Sequence, residues 1–292
     1  MAKITKQIYL KSRRQLLAND CQQVLDVEQK YMSHFQKLIQ DNADLLKQEF
    51  DLSSDFYPFW ANYPPEQRGR QPVGDSVPWI EVSQTSLTAN IIRLVASSGV
   101  FGTVSFPGLP SGGDTRFATE DAFIHFDIKA TGPRDATDEI VASRNQISGD
   151  GKDWNAKGLV NSIVDVRTQR KIQPFRPELP PFYLLNNKTL ICLTYFLKAV
   201  YRIDRPGVQP LSYLELVCVP NGLLLFDGPK YCERNLGLLS PGKDDKKVPL
   251  EKRRRRVNLT PLSQIASWRC VQFMLDESQT HWTTKERISN QA

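Results

Sequence analysis

The sequence predicts an α/β protein, and three observations carry that expectation. Apolar residues recur at intervals of three and four across residues 5–50 and again after Pro78, the period of helices with one buried face. Apolar and polar residues alternate from 122 to 129, the period of a strand with one face in a core. Residues 190–203 and 211–219 are rich in Leu, Val, Tyr and Phe and read as further strands.

Taken in order, Val24, Val27, Tyr31, Phe35 and Leu38 form the stripe of the N-terminal helical part, 1–50, whose role is packing or self-association. Residues 51–77 are crowded with Pro, Gly and aromatics, and the prolines forbid a continuous helix. Arg68 and Arg70 within this stretch are either phosphate contacts or ordinary surface arginines. Pro78 opens a second helix, with Asp75 or Ser76 as its cap, Leu87, Ile91, Leu94 and Val95 as its buried face, and Gly99 as its terminator. Glu81, in its first turns, is a surface glutamate by default and a helper of a metal site otherwise. A short strand is expected at 103–106, followed by a Pro/Gly turn at 107–113 that delivers Asp114. Loops are expected at 131–135 and 145–154, a short helix at 156–167, a hairpin turn at Pro220-Asn221-Gly222 and a strand at 253–259. No internal repeat and no sharp boundary divides the chain, so residues 1–292 read as one domain with its working core at 75–260.

Composition excludes several classes. At 40% hydrophobic and 24% charged the chain is that of a globular protein with a sizeable core. The polar N-terminus lacks the apolar stretch of a signal peptide, and no run of 18 apolar residues suggests a membrane span. Five cysteines, an odd number with no C-x-x-C pair, argue against a disulfide framework or a zinc site and for a reducing cytoplasm. Cys192 and Cys218 sit in apolar runs as core fillers. The net charge is +6, and residues 243–256 hold eight basic residues against three acidic ones. A basic patch this concentrated expects a polyanion, nucleic acid first, or else it is a solvated surface.

Two motifs bear on chemistry. Gly237 and Gly242-Lys243 fit the start of a phosphate-binding loop, but Asp244 stands where that loop needs Ser or Thr, and Pro241 removes a backbone N–H. A nucleoside triphosphatase is therefore rejected. Asp114…Asp127-Ile128-Lys129 fits the P-D…(D/E)-x-K pattern of metal-dependent nucleases, with Gly113 in the proline's place. On a strand Asp127 and Lys129 point the same way. Asp114, Asp127 and the carbonyl of Ile128 are hard oxygen ligands suited to magnesium. Lys129 is placed to orient or deprotonate a water and to offset charge on a phosphorane. The plain alternative is a structural ion pair. Arg254 and Arg256, two apart, share a face, and an arginine fork pairs with guanine O6 and N7. Lys243 can do likewise, and Asp245 can accept from the cytosine amino group or pair with a neighbouring lysine.

Further blocks are Pro58-Phe59-Trp60, Asn62-Tyr63-Pro64-Pro65, Pro78-Trp79-Ile80-Glu81-Val82, Gly132-Pro133-Arg134-Asp135 and Pro241-Gly242-Lys243-Asp244-Asp245. With Asp127-Ile128-Lys129 and Pro220-Asn221-Gly222 between them, these blocks resemble, in this order, the BglI family of type II restriction endonucleases. The resemblance spans roughly residues 55–260 and is weaker in the N-terminal helix and the C-terminal tail. It implies a mixed central β-sheet flanked by helices, the P-D…(D/E)-x-K nuclease core. It also implies a homodimer that cuts double-stranded DNA with Mg2+ at GCCNNNNNGGC, leaves 3′ overhangs, and has a cognate DNA methyltransferase in the same prokaryotic system. Its catalytic residues fall on Asp114, Asp127 and Lys129, and its base-reading residues on Lys243, Asp245, Arg254, Arg256 and Asp135. The chain departs from the family pattern in a shorter segment between Asp114 and Asp127, and in Arg253 and Arg255. These two arginines are expected to face away from Arg254 and Arg256 and to add phosphate affinity. The rival readings are a structure-specific repair or recombination nuclease and a non-catalytic DNA-binding protein.

Overall fold

The N-terminal helical stripe folds as three helices rather than one: α1 (Lys6–Leu17), α2 (Gln22–Asp41) and α3 (Ala43–Asp51). The computed structural model describes residues 4–52, 55, 80–106, 115–155, 158–167, 172–185, 188–205, 208–228, 237–242, 247–276 and 281–287. The first break falls at Asn19, Asp20 and Cys21, whose φ angles of 50°, 54° and 61° are left-handed. Asn and Asp tolerate that region better than most residues, and periodicity alone does not reveal it. Helix α4 (Ile80–Ser97) buries Leu87, Ile91, Leu94 and Val95, and the chain turns away at Gly99 with φ +68°. The expected start of this helix at Pro78 lies outside the described residues, as does all of 56–77. The strand expected at 103–106 is reduced to a single bridge between Ser105 and Ala118.

Strands β1 (Thr115–Ala118) and β2 (Ala122–Thr131) form an antiparallel hairpin, and β3 (Glu139–Ala142) follows a turn. Where a helix was expected at 156–167, two small hairpins occur: β4 (Asp153–Asn155) with β5 (Gly158–Val160), and β6 (Val164–Arg167) with β7 (Ile172–Phe175). Val160, Val164 and Val166 are β-branched, and Gly158 takes φ +112°, so local preference here favours strands. Then come β8 (Phe182–Leu185), β9 (Lys188–Tyr201) and β10 (Leu211–Val219), the last two where the apolar runs predicted them. Pro220-Asn221-Gly222 is not a hairpin turn. Asn221 caps the short helix α5 (Gly222–Phe226), its Oδ1 accepting from the N–H of Leu223 at 2.9 Å. Asn serves both turns and caps, and the apolar run that follows it here is helical. The chain ends with β11 (Leu239–Pro241), β12 (Arg255–Asn258), α6 (Leu259–Ile265), β13 (Cys270–Asp276) and β14 (His281–Glu286).

The central sheet runs β1-β2-β9-β10-β13-β14, with β8 also paired to β9. It is mixed, because β2 and β9 are parallel while its other pairs are antiparallel. Helix α2 packs against β9 and β10, α3 against β10, and α4 against β2. Phe35 of α2 meets Phe126 of β2 at 4.6 Å and Tyr195 of β9 at 5.0 Å between ring centroids, so the middle of the sheet is sealed by aromatics. One charge sits within this stripe. Glu28 is fully buried and pairs with the equally buried Arg269 at 2.5 Å, and its other oxygen accepts from the N–H of Asn221 at 2.6 Å. Burial pushes the Glu28 carboxyl up, against the pull of the Arg269 guanidinium. A second, three-stranded sheet, β11-β12-β3, is joined to the first by the turn from Gly132 to Asp138. Cys21, Cys192, Cys218 and Cys270 are buried and unbridged, as core fillers should be.

Candidate active site

β2 carries the candidate chemistry because its two faces differ. Ala122, Ile124, Phe126 and Ile128 are buried in the core, as the alternation predicted. On the other face Asp127 is 8% exposed, and Lys129 is half-buried beside it. Lys129 Nζ lies 2.5 Å from Asp127 Oδ2 and 5.7 Å from the centre of the Phe196 ring. Phe196 is the parallel-strand neighbour of Asp127 on β9. Asp127 Oδ2 also accepts a hydrogen bond from Gln146 Nε2 at 2.8 Å. Asp114 lies outside the described residues. Its chain neighbour Thr115 pairs with Phe126, which is the neighbour of Asp127.

A groove of about 510 Å³ opens next to this pair. Lys129, Thr131, Arg134, Asp135, Arg254 and Arg256 line it, with Glu139 between the two sheets. Four of the residues singled out from sequence, Lys129, Asp135, Arg254 and Arg256, thus meet around one cavity. Asp135 sits in a tight turn: its N–H donates to the Gly132 carbonyl at 3.0 Å, and its Oδ2 accepts from the Gly132 N–H at 3.2 Å. A Cβ at Gly132 would lie 2.6 Å from the Tyr201 hydroxyl, so any larger residue there would displace the Tyr201 ring. Arg254 is exposed, and Arg256 is half-buried and pairs with Glu139 at 2.5 Å. Lys243 and Asp245 lie outside the described residues. Gly242, just before Lys243, donates its N–H to the Arg254 carbonyl at 3.0 Å.

The reading of Arg253 and Arg255 needs correction. Alternation does turn Arg255 away from Arg254 and Arg256, but it turns inward and is 1% exposed. Its guanidinium donates to Gln173 Oε1 at 2.8 Å, the Pro174 carbonyl at 2.7 Å and the Leu250 carbonyl at 3.2 Å, and lies over the Phe175 ring. Arg255 is a core anchor with no role toward phosphate. Arg253 is half-buried and donates from Nε to the Val248 carbonyl at 2.8 Å.

Three residues near the site escaped sequence reading. Gln146 falls in the expected loop 145–154, yet Ser143-x-x-Gln146 is a capping box, a pattern that the sequence shows. Glu139 became visible only when β3 paired with β12. Lys198, in register with Lys129 on the next strand, is fully buried and donates to the carbonyls of Thr137 at 2.5 Å and Glu139 at 3.1 Å. Burial pulls its ammonium from 10.5 down to about 8, against the opposing pull of the Glu215 carboxylate. No sequence signal marks a lysine inside an apolar run as a tie for a distant loop.

The donors available to a metal are carboxylate and carbonyl oxygens, the set that suits a hard divalent cation. Among the described residues no group of three or more His, Cys, Asp and Glu gathers. The family model for restriction endonuclease BglI matches residues 4–273. The chain belongs to the BglI family of type II restriction endonucleases. It is 35% identical over 251 residues to the type II restriction enzyme BglI of Bacillus subtilis, covering 78% of this chain and 83% of that protein. The crystal structure of BglI bound to its DNA recognition sequence superposes with a TM-score of 0.75 at 30% identity, over 92% of this chain and 96% of that one. The tetrameric restriction endonuclease SfiI bound to cognate DNA shares the fold, with a TM-score of 0.60 at 14% identity over 91% and 95% of the two chains. Membership of the BglI family fixes the class of enzyme, a type II site-specific deoxyribonuclease with a mixed α/β fold.

Proposed function

We propose that this BglI-family chain acts as a homodimer on double-stranded DNA, with Mg2+, at GCCNNNNNGGC, and leaves 3′ overhangs. The observation that supports it most is the groove that joins Lys129, the partner of Asp127, to Arg254 and Arg256. It puts a site suited to phosphate chemistry beside two guanidinium groups suited to guanine. Asp114, Asp127 and the Ile128 carbonyl are the residues that would hold the ion. Bound there, magnesium would polarise the scissile phosphate and make its water more acidic.

The chain's own residues do the rest. As the ammonium paired with the Asp127 carboxylate, Lys129 orients the attacking water and balances charge on the phosphorane; to take the water's proton it acts as the neutral amine. Arg254 and Arg256, with Lys243, donate to guanine edges, and Asp245 and Asp135 accept from cytosine amino groups. A half-site of three G·C pairs suits that set. Two copies related by a twofold would place one such set on each half of the palindrome. A methyltransferase protecting the same sites is the partner expected in a prokaryotic cytoplasm.

The test is digestion of a sequenced plasmid that carries GCCNNNNNGGC, with magnesium. Discrete fragments with 3′ overhangs are expected. Asp127→Ala should abolish cutting and keep cognate binding in calcium. Random nicking, or a preference for branched DNA, would refute the specificity. Undiminished cutting by Asp127→Ala would refute the catalytic assignment and leave the Asp127–Lys129 pair a structural one.

A further inference from the structure

We propose that Gln146 is a positioning residue for the catalytic carboxylate, and that it ties this carboxylate to the sheet that carries Arg256. The inference rests on the assignment of Asp127 above. Gln146 is 3% exposed, and both ends of its amide are used. Nε2 donates to Asp127 Oδ2 at 2.8 Å, and Oε1 accepts from the Ser143 N–H at 2.9 Å. The Lys129 ammonium reaches the same Asp127 oxygen at 2.5 Å. Two donors from separate parts of the chain therefore converge on one carboxylate oxygen and fix its plane. A lysine on the same strand can swing about its long stem, whereas a buried amide anchored at its far end cannot.

What anchors Gln146 gives the contact its second meaning. Ser143 follows β3 directly and caps the single turn of 3-10 helix from Arg144 to Gln146. β3 pairs with β12, with Val141 opposite Arg256 and Ala142 opposite Arg255. Four consecutive residues pair across these strands, so β12 and β3 form one ladder. A displacement of β12 when Arg256 engages a base is passed through β3 and the capped turn to the amide that holds Asp127. The path consists of hydrogen bonds and strand pairing alone, and an energetic coupling is what would demonstrate it.

A glutamine that merely caps its turn would show the same Ser143 contact, and one substitution separates the two roles. Gln146→Glu keeps an acceptor for the Ser143 N–H, since Glu and Gln serve a capping box equally. It removes the donor to Asp127 and sets a carboxylate against it. A second buried carboxylate costs stability, so Gln146→Glu should melt below the wild type; assayed where circular dichroism shows it folded, it should bind the cognate duplex normally in calcium. Its single-turnover cleavage should be slower by about 10–100-fold, with an unchanged KM. Gln146→Ala, assayed where circular dichroism shows it folded, should also bind manganese about tenfold more weakly, read from the free-ion EPR signal. Combined with Arg256→Ala, its loss of rate should be less than multiplicative. Wild-type cleavage by Gln146→Glu, beside an inactive Asp127→Ala, would overturn the positioning role and leave the active-site assignment standing. An active Asp127→Ala would overturn both. Fully multiplicative losses with Arg256→Ala would overturn the tie to the reading sheet.

Discussion

Arg254 is exposed and lines the groove, whereas Arg255, one residue on, is buried and donates three hydrogen bonds, to Gln173, Pro174 and Leu250. Substitution should separate the two. Arg255→Met strands those acceptors and should lower the unfolding free energy by about 2–4 kcal/mol. Arg254→Ala touches no core and should change stability by less than about 0.5 kcal/mol. It should cost about 1–3 kcal/mol of discrimination between the cognate duplex and one with the contacted guanine replaced. Urea denaturation and competitive binding in calcium read the two effects. Weakened binding by Arg255→Met at unchanged stability would contradict its assignment as an anchor. At this scale the sequence was legible where chemistry and alternation coincide, as in Asp127 with Lys129. Arg255 was misread for a definable reason. Alternation told which way it turned, but not that Gln173 and Pro174 would be waiting there, because their segment comes from a distant hairpin.

Lys198 shows what one side chain does for an element. It fastens the turn between β2 and β3 to the middle of β9, through the carbonyls of Thr137 and Glu139. Arg287 backs the same turn, pairing with Asp138 at 2.5 Å and with Glu215 at 2.8 Å. The turn holds Asp135 at the groove, so Lys198 and Arg287 set the geometry of that wall of the groove. The lowered pKa of Lys198 fixes the sign of a pH effect. Its folded-state value, about 8, lies below the ordinary 10.5. Between those values the unfolded chain keeps a proton that the folded chain has released, so the contribution of Lys198 to stability grows as pH rises through that window. The neutral amine still has two N–H groups for its two carbonyls. Urea midpoints of the wild type and Lys198→Met at pH 7.5 and 9.5 should diverge, the wild type gaining about 1–3 kcal/mol relative to the variant at the higher pH. An equal gap at both pH values would contradict this. Among elements, the long runs were legible: α4, β2, β9 and β10 lie where period and composition put them. The short ones were not, because β5, β6 and α5 are 3, 4 and 5 residues long and their identity depends on what they pair with or cap.

Across the whole molecule, two sheets contribute to one groove. The mixed sheet holds Asp127 and Lys129, and the small one holds Arg256, with the groove between them. One chain offers one such pair, and a palindrome presents two scissile bonds. Sedimentation of the free protein should therefore give twice the 33.3 kDa chain mass, and a cognate duplex should take up two chains. A species of one chain both free and on DNA would contradict the homodimer. The fold class was legible at this scale because helical and strand periods both recur along the chain. The order of strands was not, since no local pattern states that β2 lies parallel to β9.

That parallel pair bears on how the protein is made. Ala122 finds its partner in Ile191 and Thr131 in Val200, so the strand with Asp127 and Lys129 has only the four-residue β1 beside it until most of the chain has been synthesised. Parallel pairing across so long a loop is slow to close. The strand that positions Arg256 is made later still. A nascent or truncated chain that ends before β9 therefore holds Asp127 and Lys129 on a strand that lacks one of its two neighbours.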